Sequence, residues 1–164
     1  MASFVRYASK PVLKDPVFIT ALPGVGNVGK IAGDYLAEKL EARCFARIFS
    51  EDFPPQVTVD EESVVHLACN EFWYAKAGDR DVVILRGDQQ GSTPEGQFYL
   101  AQHMFDLLME MGVSRIVTLG GYYATGNIGE TPRVLGAVSD ASLKEEFSGY
   151  GVIFSANDPA GGIG

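Results

Sequence analysis

The stretch Val17-Phe18-Ile19-Thr20-Ala21-Leu22-Pro23-Gly24-Val25-Gly26-Asn27-Val28-Gly29-Lys30-Ile31 decides the fold. Val17 to Leu22 is a short apolar run halted by Pro23 and Gly24, which reads as a buried strand. Asn27 stands where a helix cap belongs. Val28, Ile31, Ala32, Tyr35, Leu36 and Leu40 then recur at helical spacing as one apolar face. A strand, a glycine turn and a helix in close succession open an α/β fold.

Downstream, Cys44 to Phe49 reads as a second strand, stopped by Glu51, Asp52 and Pro54-Pro55. Val57 to Val59 and Ser63 to Ala68 are β-rich. The aromatic run Phe72-Trp73-Tyr74 opens another strand, with a hairpin expected around Cys69-Asn70. In Asp81 to Arg86 the consecutive apolar residues Val82 to Leu85 mark a strand buried on both faces. Ser92 or Thr93 then caps a long helix, with Pro94 in its first turn and Glu95 placed for a capping box. Its expected inner stripe is Phe98, Ala101, Met104, Phe105, Leu108 and Met111, and Gly112 ends it. Arg115 to Leu119 is the next strand, closed by Gly120-Gly121. Arg133 to Val138, a helix from Ala141 to Phe147, and Val152 to Phe154 follow. This alternation predicts one α/β domain over 1–164, with a largely parallel sheet covered by helices on both faces. The Gly/Pro-rich end after Asn157 reads as a chain whose next element is missing.

Composition narrows the function. The apolar fraction of 46% over 164 residues is enough for a real core. A net charge of −8, with 13 scattered Lys and Arg, argues against a nucleic-acid partner, which needs clustered cations to neutralise phosphates. No stretch has the roughly 20 apolar residues of a membrane span, and Met1 to Lys10 has no secretory core. Cys44 and Cys69 lie in strand-like surroundings and read as inert thiols of a cytoplasmic protein.

The loop Gly24-Val25-Gly26-Asn27-Val28-Gly29 half-matches two nucleotide patterns. Gly24, Gly26 and Gly29 have dinucleotide-fingerprint spacing, and Glu51 or Asp52 follows at roughly the 20 residues expected of a ribose-binding acid. Gly24, Gly29 and Lys30 also fit a phosphate-cradling loop, but Ile31 stands where Ser or Thr would ligate Mg²⁺. The competing reading is architectural, since any tight strand-to-helix turn favours glycine. Either way, a helix amino terminus attracts anions.

Two more turns follow the strands of the same expected sheet edge. Asp88, Gln90 and Thr93 could converge there with Gly24 to Gly29, or could merely satisfy turn and cap hydrogen bonds. Gly120, Gly121, Tyr122 and Tyr123, continuing through Thr125 to Glu130, make a third loop able to line a pocket or an interface. His66 and His103 have no second ligand at metal spacing, and no G-x-S-x-G nucleophile elbow occurs. The residues therefore name no catalytic group, no metal site and no cofactor.

Taken together, three blocks resemble the proteasome assembly chaperone 2 family. They are Leu22 to Gly29 with Asp34-Tyr35-Leu36, Gly87-Asp88-Gln89-Gln90 running on through Thr93 to Gln97, and Val113 to Tyr122. The likeness runs from about Val17 onward and is strongest to archaeal and bacterial members, some of which carry an ATP-grasp label. It implies a three-layer α/β/α fold related to the phosphorylase/hydrolase group, homo-oligomers in several prokaryotic members, and binding to proteasome α-subunits without catalysis. Family members are usually longer, so the chain resembles their amino-terminal part. Members that dock on the proteasome often do so through a carboxyl-terminal hydrophobic–Tyr–any tail, whereas this sequence ends Gly162-Ile163-Gly164. The expected function is thus a non-enzymatic assembly factor; the alternative is a nucleotide- or small-molecule-binding enzyme using Gly24 to Gly29.

Overall fold

The computed structural model describes residues 2–123 and 131–154. They divide into two compact units, the first running to Gly121 and the second starting at Tyr122.

The first unit is built on a six-stranded sheet. Its strands are β1 (Ser3–Tyr7), β2 (Val17–Ala21), β3 (Arg43–Ser50), β6 (Asn70–Ala77), β7 (Arg80–Gly87) and β8 (Arg115–Thr118), in the order β1-β3-β6-β7-β2-β8. Two helices belong to this unit, α1 (Val28–Lys39) and α2 (Pro94–Glu110). Between β3 and β6 the chain forms a separate hairpin, β4 (Val57–Val59) with β5 (Val65–Leu67).

The sheet is mixed, not largely parallel as the alternation predicted. β2 pairs in parallel with β7 and β8, whereas β1–β3, β3–β6 and β6–β7 are antiparallel. A parallel neighbour needs a long crossover, and only α1 and α2 supply one. No helix separates β3 from β6. β6 turns straight into β7 at Gly78, whose φ of 68° admits a tight reversal that side-chain-bearing residues resist. The hairpin expected around Cys69-Asn70 therefore forms one strand earlier, between β4 and β5, and again between β6 and β7. β1, which sequence patterning missed, lies on the edge with exposed Phe4 and Arg6 alternating with partly buried Ser3 and Val5.

Crossovers explain where the helices lie. α1 links β2 to β3 in one direction across the sheet and α2 links β7 to β8 in the other, so two right-handed connections fall on opposite faces. On one face Phe18, Phe45, Ile48, Phe72, Val83 and Leu85 pack against Leu100, Met104, Leu107 and Leu108 of α2. On the other, Val82 and Ile84 pack with Leu36 and Ala37 of α1 and with Leu40 just after it. Phe45, Ile48, Phe72 and Ile84 are fully buried, each side chain contributing about 1.5–3 kcal/mol.

Both helices differ from their expected faces. In α1 the residues turned to the sheet are Gly29, Gly33 and Ala37, while Val28, Ile31, Ala32 and Tyr35 are exposed. Close approach decides this: a Cβ on Gly33 would stand 2.0 Å from the Ala21 Cβ, so only glycine lets the helix sit down on β2. In α2, Met104 and Leu108 are buried as expected, whereas Phe98 and Phe105 face outward and Leu100 and Leu107 take their place.

Among the described residues no helix is long and apolar enough to cross a membrane. In the second unit, α3 (Leu143–Ser148) occupies most of the expected helix. The two flanking strands expected there reduce to a single bridge, Leu135 to Ile153.

Candidate functional site

β2, β3, β7 and β8 all run in one direction, so their carboxyl ends share an edge. The turns after β2, β7 and β8 meet there. The structure thus brings together the three glycine-containing turns that the sequence singled out.

In the first turn, Gly26 and Asn27 both adopt left-handed backbone, at φ 60° and 54°, closed by the Asn27 amide donating to the Gly24 carbonyl at 3.0 Å. Asn27 precedes α1 but its side chain makes no cap bond, a correction to its expected role. The left-handed conformation ties its backbone into the turn instead of leaving it extended, as a capping residue requires. Gly29 packs against the third turn, where a Cβ would lie 2.3 Å from the Leu119 carbonyl oxygen. Gly121 packs back on the first, its Cβ position 2.1 Å from the Val25 carbonyl oxygen. Gln90 joins the second turn to the first by donating from Nε2 to the Pro23 carbonyl. Ideal Cβ atoms on Gly24 and Gly120 would meet nothing within 4 Å. The room at Gly29 and Gly121 is filled by neighbouring backbone, with Gly24 and Gly120 left open. The part of the third loop from Ala124 to Glu130 lies outside the described residues.

Electrostatics tie the same edge together. Lys30 Nζ stands 2.8 Å from Asp34 and 3.2 Å from Asp88, and Arg86 Nε donates to Asp34 at 2.7 Å. Burial opposes ionisation of Asp34, but hydrogen bonds from Lys30 and Arg86 outweigh it and hold its carboxyl below the usual range. The hydrogen bond to Asp34 raises the Lys30 ammonium above its ordinary value, against partial desolvation, with Asp88 adding to the rise. Arg86 also lies over the Trp73 ring, 4.6 Å from its centroid. A phosphate-loop lysine must meet its ligand with charge to spare, whereas Lys30 already faces two carboxylates.

Thr93 is engaged elsewhere. Its hydroxyl oxygen accepts from the Gly96 amide at 3.0 Å and so caps α2. The same hydroxyl donates to Asp52 Oδ1 at 2.7 Å, and the Thr93 amide donates to Asp52 Oδ2 at 3.0 Å. Those bonds hold the Asp52 carboxyl below its ordinary range. Glu95 has no part in a capping box, because the third helical residue after Thr93 is Gly96. A side chain on Gly96 would collide with the Asp52 carboxylate, 1.9 Å from Cγ. Asp52, one of the two residues placed as a ribose-binding acid, is therefore spent on the α2 cap. Glu51, the other, accepts from the Ala2 amide.

Sequence reading missed the Asp34–Arg86 and Asp52–Thr93 links, which span 52 and 41 residues. The only local signal was the Lys30–Asp34 spacing of one helical turn. Cys44 and Cys69 are free and half-buried, their thiols pushed up by burial and by Glu71. His103 Nδ1 lies 2.6 Å from the Ser3 hydroxyl, and His66 Nε2 lies 2.7 Å from Asp60 on the exposed hairpin. Among the described residues no three His, Cys, Asp or Glu side chains gather as metal ligands.

A family model described as the PAC2 family matches residues 18–161, taking in all three turns. The chain belongs to the PAC2 family. Among curated relatives, uncharacterized protein MJ1210 of Methanocaldococcus jannaschii is 31% identical over 151 residues, covering 92% of this chain. The chain spans 57% of that relative's length. Among solved structures, Pyrococcus furiosus PbaB, described as an archaeal proteasome activator, superposes with a TM-score of 0.86 at 38% identity. That match covers 98% of this chain and 69% of PbaB. P. furiosus PbaA, described as an archaeal homolog of proteasome-assembly chaperone, gives a TM-score of 0.76 at 22% identity, covering 97% and 63%. At that identity the PbaA likeness speaks for the fold alone.

Proposed function

We propose that this PAC2-family chain is a non-enzymatic interaction protein that serves proteasome assembly or activation, associates with itself, and takes proteasome α-subunits as partners. The observation that carries the reading is the PbaB likeness, at 38% identity over 98% of this chain. The loop edge supports it: Gly29, Gly121, Gln90 and Lys30 are each engaged with protein groups, as in an architectural turn. On the same reading, the complete fold is the three-layer sandwich of the phosphorylase/hydrolase group, and the 164 residues form one part of a longer family architecture. Half-buried free thiols support residence in a reducing cytoplasm.

Affinity capture with purified proteasome α-subunits and with the complete core particle tests this. Retention of α-subunits, together with faster ring assembly or raised peptidase activity, is the expected result. No retention of either species would overturn it.

The second reading, a nucleotide- or small-molecule-binding enzyme, rests on the start of α1. That helix has no side-chain cap, and Gly24 faces open space beside it.

A further inference from the structure

The carboxyl half of α1, the turn after it and the strands β6 and β7 line a groove of about 460 Å³. Trp73 and Tyr35 give it aromatic walls. Asp34, Glu38 and Glu41 set three carboxylates on it against the one guanidinium of Arg86. That guanidinium is already committed, lying 4.6 Å from the Trp73 ring centroid and donating from Nε to Asp34. Lys30, 2.8 Å away, completes the neutralisation of Asp34. Glu38 and Glu41 differ from Asp34 in this respect. Both are exposed, and among the described residues neither side chain enters a hydrogen bond or an ion pair.

We infer that this groove receives a lysine or arginine side chain from a basic segment of a partner protein. The occupant is a partner's segment, so the inference rests on the interaction-protein reading above and adds the chemistry of one contact. Charge selects the occupant first. The carboxylates left over in the groove are those of Glu38 and Glu41, which stand at the carboxyl end of α1, where the helix dipole adds partial negative charge. The net charge of −8 on the whole chain steers a basic partner in the same sense. The walls select the shape of the cation. Trp73 and Tyr35 each already carry a cation of this chain, Arg86 at 4.6 Å and Lys39 at 5.4 Å. A lysine or arginine lays its hydrocarbon stem along such rings while its charged head reaches the carboxylates. A metal ion has no use for the rings, and among the described residues no three ligands gather for one. Glu41 adds a further sign. Its backbone is left-handed at φ 51°, in the turn closed by the Glu41 and Ala42 amides donating to the Glu38 and Ala37 carbonyls. Glycine is the usual residue at such a helix end. A glutamate there, with its carboxylate unengaged by its own chain, is suited to an outside contact.

Trp73 is the chain's single tryptophan, so its fluorescence reads the groove directly. Titration of the intact chain with a short mixed arginine–lysine peptide, followed by fluorescence and by calorimetry, tests the contact. A glutamate peptide of the same length is the control. The basic peptide is expected to shift the Trp73 emission to saturation, and the glutamate peptide to leave it unmoved. Raising the salt from about 0.05 M to about 0.5 M should weaken binding, since exposed charges are screened over a shorter distance. Glu38→Gln combined with Glu41→Gln should weaken it about fivefold, as the loss of two exposed ion pairs does. Both residues are exposed, so the variant should fold, which circular dichroism checks. Glu61→Gln combined with Glu62→Gln, on the β4–β5 turn, removes the same charge elsewhere and should leave binding unchanged. No emission change and no heat with the basic peptide overturns the inference. Equal weakening in the two double variants also overturns it, because the peptide would then be drawn to the acidic chain at large. Spermidine binding as tightly as the peptide would make the occupant a free organic cation instead of a protein segment. No proteasome component enters these titrations. A chain that retains α-subunits but ignores the peptide keeps the interaction reading and loses this contact.

Discussion

A Cβ on Gly29 would stand 2.3 Å from the carbonyl oxygen of Leu119, so these two residues meet across the loop edge backbone against backbone. This contact sets the height of α1 over the ends of β2 and β8. It gives Gly29 a packing role quite different from that of Gly24, although both satisfy the same glycine pattern.

Gly29→Ala should therefore destabilise the fold by about 1–3 kcal/mol, as overpacking against immobile backbone does. Gly24→Ala should stay within about 0.5 kcal/mol, since its backbone is extended at φ −165° and its Cβ position is open. Urea unfolding of both variants checks the contrast. Equal losses would mean that the loop does not use its glycines in this way.

Thr93→Ala removes the α2 cap and one partner of Asp52, and should cost about 1–2 kcal/mol in urea unfolding. Thr93→Ser keeps the hydroxyl and should retain most of that stability. If the serine variant is as weak as the alanine, the hydroxyl is not what stabilises the helix start.

Acid should unfold the protein partly through Asp34 and Asp52. Both carboxyls are held below their ordinary 3.8 in the folded chain. Their contribution is present above the unfolded-state value and is lost as the pH falls through the folded-state one. Lys30 is raised above 10.5, so its contribution holds below that value and is lost as the pH rises through its folded value. Stability measured from pH 2 to 6 should fall less steeply in Asp34→Asn than in the wild type. An unchanged slope would remove Asp34 from the account.

A thermal-shift panel with ATP, NAD and nucleosides is expected to be flat. A true ligand at 100 times its dissociation constant would add about 2.7 kcal/mol. A clear shift, abolished by Gly24→Val, would restore the nucleotide reading of the first turn.

Both cysteines should react slowly with a thiol reagent at pH 8, because burial and Glu71 disfavour the thiolate. Fast labelling of either, at the rate of an exposed thiol, would contradict that environment.

Much was legible in the residues alone. Apolar runs located β2, β3, β7 and β8, most plainly β7, because a strand buried on both faces writes itself as consecutive hydrophobic residues. Thr93, Pro94 and Gly112 marked the ends of α2, because cap chemistry is local. Those signals, with the three glycine blocks, were enough for the α/β class, the family and the shared edge. Only the tertiary structure decided that β6 runs antiparallel between β3 and β7, since strand direction depends on what connects the strands and not on their own side chains. It also decided which faces of the helices are buried. Periodicity nominates the largest apolar residues, but Gly33 against Ala21 lets α1 approach so closely that its small residues turn inward and Ile31 and Tyr35 turn out. The Asp52–Thr93 and Asp34–Arg86 links follow the same logic. They join residues 41 and 52 positions apart, and no local pattern encodes a partner that only the folded sheet brings within reach.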